Sequence, residues 1–121
     1  MRSIAILCDK GPFGTNSANE AMRLGSGFMA LGEEIKCKVI FYGDGVYFMK
    51  KGLNSSIINV DSIEDGLEMA QLSELPILLV KEDLEERGIK PEDLVEYGNM
   101  EIVPWGEIPR VLMEFPAAFK V

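Results

Sequence analysis

Ile4-Ala5-Ile6-Leu7-Cys8, then Asp9-Lys10-Gly11-Pro12-Phe13-Gly14-Thr15-Asn16, then a helical pattern from Ser17 to about Ala30, is the stretch that decides the fold. An apolar run without alternation is the pattern of a strand buried on both faces, as in parallel sheets with helical crossovers. The loop after it therefore stands at a strand's carboxyl end, the place where open α/β sheets bind ligands. Gly11 and Gly14 allow positive φ and close approach to the backbone, Pro12 stiffens the turn, and Thr15, Asn16 or Ser17 can cap the helix. In that helix Ala18, Ala21, Met22, Gly25, Phe28 and Met29 recur at helical spacing, and the small residues at 18, 21 and 25 permit close contact with a sheet.

The same alternation continues along the chain. Gly32 stands where a helix stops, and residues 35–42 form a second strand, followed by the turn Gly43-Asp44-Gly45-Val46 and a short helix from Tyr47 to Gly52. Asp44 is either the cap of that helix or a carboxylate beside the first loop. Residues 54–59 have no period and read as a surface connection, with Ile57 and Ile58 tucked inward. Asp61-Ser62-Ile63-Glu64 opens a helix to about Glu74, and Pro76 leads into a third strand, 77–80. A helix from about Glu82 closes at Arg87-Gly88, Pro91 opens another that ends at Gly98, and 100–104 is a fourth strand. A last helical segment, 105–115, interrupted near Pro109, precedes a fifth strand at 117–121. These pieces predict one domain, residues 1–121, built as a three-layer α/β/α sandwich on a mostly parallel five-stranded sheet.

Composition narrows the function. Twenty acidic residues against twelve basic ones give a net charge of −8, which argues against a nucleic-acid or anionic-membrane partner. No stretch approaches a membrane span, and Met1-Arg2-Ser3-Ile4 does not open like a secretion signal, so the expectation is a cytoplasmic protein. The chain has no histidine, which excludes imidazole bases, Ser-His pairs and His-ligated metals. Two cysteines, Cys8 and Cys37, are too few for a four-thiolate zinc site, and both fall in strands, where the simplest expectation is a buried, inert thiol. No metal and no cofactor is expected. Glu33-Glu34, Glu82-Asp83, Glu85-Glu86 and Glu92-Asp93 read as solvated charge. The loop Gly11-x-x-Gly14-Thr15 is neither a dinucleotide fingerprint nor a P-loop.

Taken in order, Gly11-Pro12-Phe13-Gly14-Thr15, a long helix, Phe41-Tyr42-Gly43-Asp44-Gly45-Val46 and Leu84-Glu85-Glu86-Arg87-Gly88 resemble the DsrE/DsrF-like family, which includes the TusD and TusC subunits of sulfur relays. The resemblance spans nearly the whole chain. It implies a DsrE/F-like α/β subunit that assembles into homo- or hetero-oligomers with related subunits in intracellular sulfur handling. In sulfur-carrying members a cysteine just after the third strand accepts a persulfide; aligned back from Arg87-Gly88, that position is Val80, followed by Lys81. Valine can form no thiolate, so the resemblance favours a non-carrying, TusC-like partner over a carrier.

Two alternatives stay open. Cys8 ends the first strand near a helix start, which can lower a thiol pKa, and so could serve as a catalytic or carrier thiol, although Asp9 acts the other way. The corner formed by Gly11, Pro12, Phe13, Gly14, Thr15 and Asn16 with Asp44 and Gly45 could instead bind a small ligand or nucleotide through backbone N–H groups. Whether the chain is an enzyme is left undecided, with the balance against it. Finally, Pro104-Trp105, Val111-Leu112-Met113, Phe115-Pro116 and Phe119 are more apolar surface than a short helix and an edge strand cover, which predicts association.

Overall fold

A computed structural model describes residues 2–11, 17–32, 35–52 and 63–121. Five strands, β1 (Arg2–Cys8), β2 (Ile35–Phe41), β3 (Ile77–Val80), β4 (Met100–Val103) and β5 (Ala117–Lys120), form one parallel sheet in the order β4-β3-β2-β1-β5. The α-helices among the described residues are α1 (Ser17–Met29), α2 (Ile63–Leu72), α3 (Lys81–Glu86) and α4 (Ile108–Met113). All five predicted strands are present, each bounded within a residue or two of its expected place.

Among the described residues the sheet's two faces are covered unequally. Ile6, Cys8, Cys37, Val39, Phe41, Ile77 and Leu79 point into the larger core, which contains Ala18, Ala21 and Met22 of α1 and Ala70 of α2. Gly25 explains how close α1 lies: a Cβ there would stand 2.8 Å from Leu75 Cδ2 and 3.1 Å from Val39 Cγ2. The opposite face holds a smaller core of Ala5, Ile40, Leu78, Val80, Ile108 and Phe115. Its main helical cover is α4, and Trp105 and Met113 are among the large apolar residues left exposed, Met113 at 83%; Phe119, level with Ile6 and so on the larger-core face, is exposed too. Phe115, counted with them from sequence, is buried.

Three local expectations need correction. The turn at Gly43 is not a preface to a helix from Tyr47: residues Gly43–Met49 are one 3-10 helix, held down by buried Val46, Phe48 and Met49, with Phe48 stacked 5.6 Å from Phe41. Pro91 opens only a single 3-10 turn, Pro91–Asp93, and no helix runs on to Gly98. The reason lies in where the backbone bonds go. Lys51 N–H donates to Asp93 O and Val95 N–H to Met49 O, both at 2.8 Å, and Leu94 bridges Lys50 antiparallel while its side chain is buried. Docking on the 3-10 helix thus replaces the bonds a helix would make. Last, the segment read as a helix interrupted at Pro109 divides earlier, into a 3-10 turn Trp105–Glu107 and α4, with Pro109 in α4's first turn, where a missing N–H costs little. The expectations for residues 54–59 and for Asp61 and Ser62 lie outside the described residues.

Candidate functional site

The carboxyl ends of β1, β2 and β3 bring most of the described candidate residues to one edge. The close of α3 is the firmest part. Ile89 N–H donates to Leu84 O at 2.9 Å and Gly88 N–H to Glu85 O at 3.1 Å, with Gly88 at φ +68°, so the helix ends in a Schellman motif. Leu84 and Ile89, at the two positions whose apolar side chains accompany such a close, are both buried in the larger core. Arg87 is thereby fixed as the helix C-cap. Its Nε donates to Asp44 Oδ1 at 3.0 Å and its Nη1 to Asp83 O at 3.1 Å, with Asp83 Oδ1 3.6 Å away. Asp83, buried, accepts the Gly43 N–H through Oδ2 at 2.8 Å. The turn after β2 and the close of α3, which look like separate motifs in sequence, are two halves of one ionic clasp.

Asp44 is accordingly no helix cap. Tyr42 occupies the N-cap position without a side-chain cap bond, and the exposed Asp44 carboxylate is held by Arg87. Gly45 is buried, and a Cβ there would stand 2.3 Å from Cys8 O, so its lack of a side chain serves packing between the turn and β1. Nothing in the sequence marks Arg87 and Asp83 as site residues. The Leu84-x-x-Arg87-Gly88 spacing marks a helix close, but nothing in it points to a partner more than forty residues earlier.

Beside the clasp stand the residues at the ends of β1, β2 and β5. Cys8 is buried, its Sγ–H donates to Lys10 O at 3.4 Å, and its pKa is raised, first by burial, with Asp9 adding to it and a backbone hydrogen bond with Lys10 opposing. Burial also raises Cys37, to about 11. Lys120 Nζ pairs with Asp9 Oδ2 at 3.1 Å, and that bond pushes the ammonium pKa up. Burial, then Asp9, raises Tyr42, whose ring meets Trp105 edge-on at 5.6 Å. Val80 is fully buried at the end of β3, in the smaller core. Gly11 is buried at this corner; Pro12, Phe13, Gly14, Thr15 and Asn16 lie outside the described residues. A hollow of about 430 Å³ lined by Gln71, Glu74, Tyr97, Gly98 and Asn99 opens near the opposite, amino ends of β3 and β4. No group of acidic and thiol side chains among the described residues is arranged to hold a metal ion, and no described helix is long and apolar enough to cross a membrane.

A five-stranded parallel α/β sheet with helices on both faces defines the structural class, and solved structures share that fold. The chain is similar to the YchN protein from E. coli over the full length of both, at a TM-score of 0.81 and 20% identity. It is also similar to MTH1491, a protein of unknown function from Methanobacterium thermoautotrophicum, at a TM-score of 0.69 and 16% identity, covering 99% of this chain and 98% of that one. No curated protein matches the sequence. The family model for the DsrE/DsrF-like family matches residues 2–112, and the chain belongs to that family.

Proposed function

We propose that this chain is a non-carrying, TusC-like subunit of cytoplasmic sulfur handling, which assembles with related subunits and leaves sulfur carriage to a partner. The observation that carries the reading is the side chain at position 80, which the resemblance aligns with the carriers' acceptor cysteine. Val80 is fully buried and apolar, with Ile40, Leu78, Ile108 and Phe115 in the same cluster, so it offers no nucleophile and its surroundings would disfavour an anionic one. Cys8 and Cys37 are both buried with raised pKa values, which lowers their thiolate fraction and access. The thinly covered face around α4, with Trp105 and Met113 exposed, supports assembly. The test is incubation with a persulfide donor followed by mass spectrometry of the native protein. The expected result is no retained sulfane sulfur; an added sulfur on Cys8, lost in Cys8→Ser, would overturn the reading in favour of a Cys8 carrier.

A further inference from the structure

Among the described residues no strand pairs with the outer edge of β5, and its register specifies a partner. Ile4, Ala5, Ile6 and Leu7 pair with Ala117, Ala118, Phe119 and Lys120, and Val121 N–H donates to Leu7 O at 3.0 Å. Backbone direction alternates along a strand, so 117, 119 and 121 bond inward to β1, while the N–H and C=O of Ala118 and Lys120 point away from the sheet. All four residues of β5 are exposed. We propose that two copies of this chain pair antiparallel through β5 about a two-fold axis at Phe119, joining their sheets into one of ten strands. The inference deepens the reading of the chain as an assembling subunit and rests on it.

The sequence selects that register over its neighbour. With the axis at Phe119, Ala118 and Lys120 exchange N–H and C=O bonds with Lys120 and Ala118 of the second copy, giving four hydrogen bonds. Phe119 then faces its own copy in a non-hydrogen-bonded pair, where side chains come closest and aromatic pairs stabilise. Each remaining position sets small against large: Ala118 against Lys120, Ala117 against Val121. With the axis at Ala118, Lys120 would instead pair with Pro116, which has no N–H to give. Edge lysines usually guard against such pairing, but Lys120 is tied back by Asp9 and faces no second lysine in the proposed register.

Disulfide trapping tests the register. Opposed Phe119→Cys residues would have Cα atoms about 4.5 Å apart, within the range a disulfide spans. Under copper-phenanthroline oxidation Phe119→Cys should form a covalent dimer. Ala118→Cys alone should not, and a mixture of Ala118→Cys with Lys120→Cys should give the heterodimer. The wild-type chain, whose two thiols are buried, is the control. In sedimentation velocity Ala118→Pro, which removes an outward N–H and leaves the bonds to β1 intact, should weaken dimerisation about tenfold or more. Trapping of Ala118→Cys as fast as Phe119→Cys, or wild-type dimerisation in Ala118→Pro, would overturn the inference. The persulfide assay is independent of β5, so its negative result with failed trapping would leave the subunit reading standing and remove only this pairing.

Discussion

Replacing Arg87 by methionine keeps much of the side chain's bulk and removes its charge, and so isolates the clasp. Two losses follow, and they differ in size. The bond to Asp44 involves a carboxylate 63% exposed, so solvent screening limits it to about 0.5 kcal/mol. Asp83 is 11% exposed at its side chain and keeps only the Gly43 N–H among the partners described here, so stripping its cation costs about 1–2 kcal/mol. The carbonyl of Asp83 also loses its Arg87 bond. The sum, about 2 kcal/mol, should lower the thermal midpoint by about 6–10 °C in a domain of this size. Urea unfolding followed by circular dichroism measures it, and double-mutant cycles apportion it. Arg87 with Asp83→Asn should couple by about 1 kcal/mol, and Arg87 with Asp44→Asn by no more than about half that. A loss below about 0.5 kcal/mol for Arg87→Met, or stronger coupling to Asp44 than to Asp83, would refute the argument.

Three further outcomes follow from the packing and the buried groups. Gly45→Ala should cost about 3 kcal/mol or abolish folding, because the obstacle is the fixed carbonyl of Cys8, whereas Gly25→Ala meets the movable side chains of Leu75 and Val39 and should cost about 1 kcal/mol; urea midpoints give the order. The Cys37 thiol, raised from 9.0 to about 11 by burial, ionises earlier in the unfolded chain than in the folded one. Its contribution is therefore intact below pH 9 and lost as pH rises through about 11, with Tyr97, raised to about 12, extending the loss; Cys37→Ala should flatten the first part of that alkaline decline in urea midpoints. Native protein should react slowly with a disulfide reagent at pH 8 and release two thiols promptly in urea; fast labelling of one thiol in the native state would place Cys8 within reach of solvent.

What could be read from the sequence was what local chemistry dictates. The apolar runs at 4–8, 39–41 and 77–80 have few stable places other than a sheet covered on both faces, and the spacing of Ala18, Ala21, Met22 and Gly25 leaves α1 one side to bury. Gly88 could be read as a helix stop because positive φ is a property of the residue itself. The segment after Pro91 could not, since its helix-start chemistry is genuine for one turn and is then outweighed by bonds to residues 49–51, more than forty positions away in the chain. The clasp was hidden for the same reason. Asp44 and Arg87 each fit a local role, cap and helix close, and only the stacking of β3 beside β2 reveals that they bind each other.

That distinction bears on how the corner's residues are to be interpreted. Gly45, Asp44 and Arg87 all have structural work that accounts for their identity: Gly45 admits the turn against Cys8, and Arg87 ties that turn to α3 through Asp44 and Asp83. The Asp9–Lys120 pair similarly joins the ends of β1 and β5. A motif match that rests on such residues therefore testifies first to the fold. The proposed sulfur reading is argued instead from position 80, which takes no part in these bonds. The cluster around it accepts an apolar side chain, yet nothing in the backbone there demands valine over cysteine: Val80 has ordinary extended φ and ψ as the residue before α3. On the proposed reading, the valine at that position is a chemical difference from a sulfur carrier that backbone geometry does not impose, and the proposal rests on it.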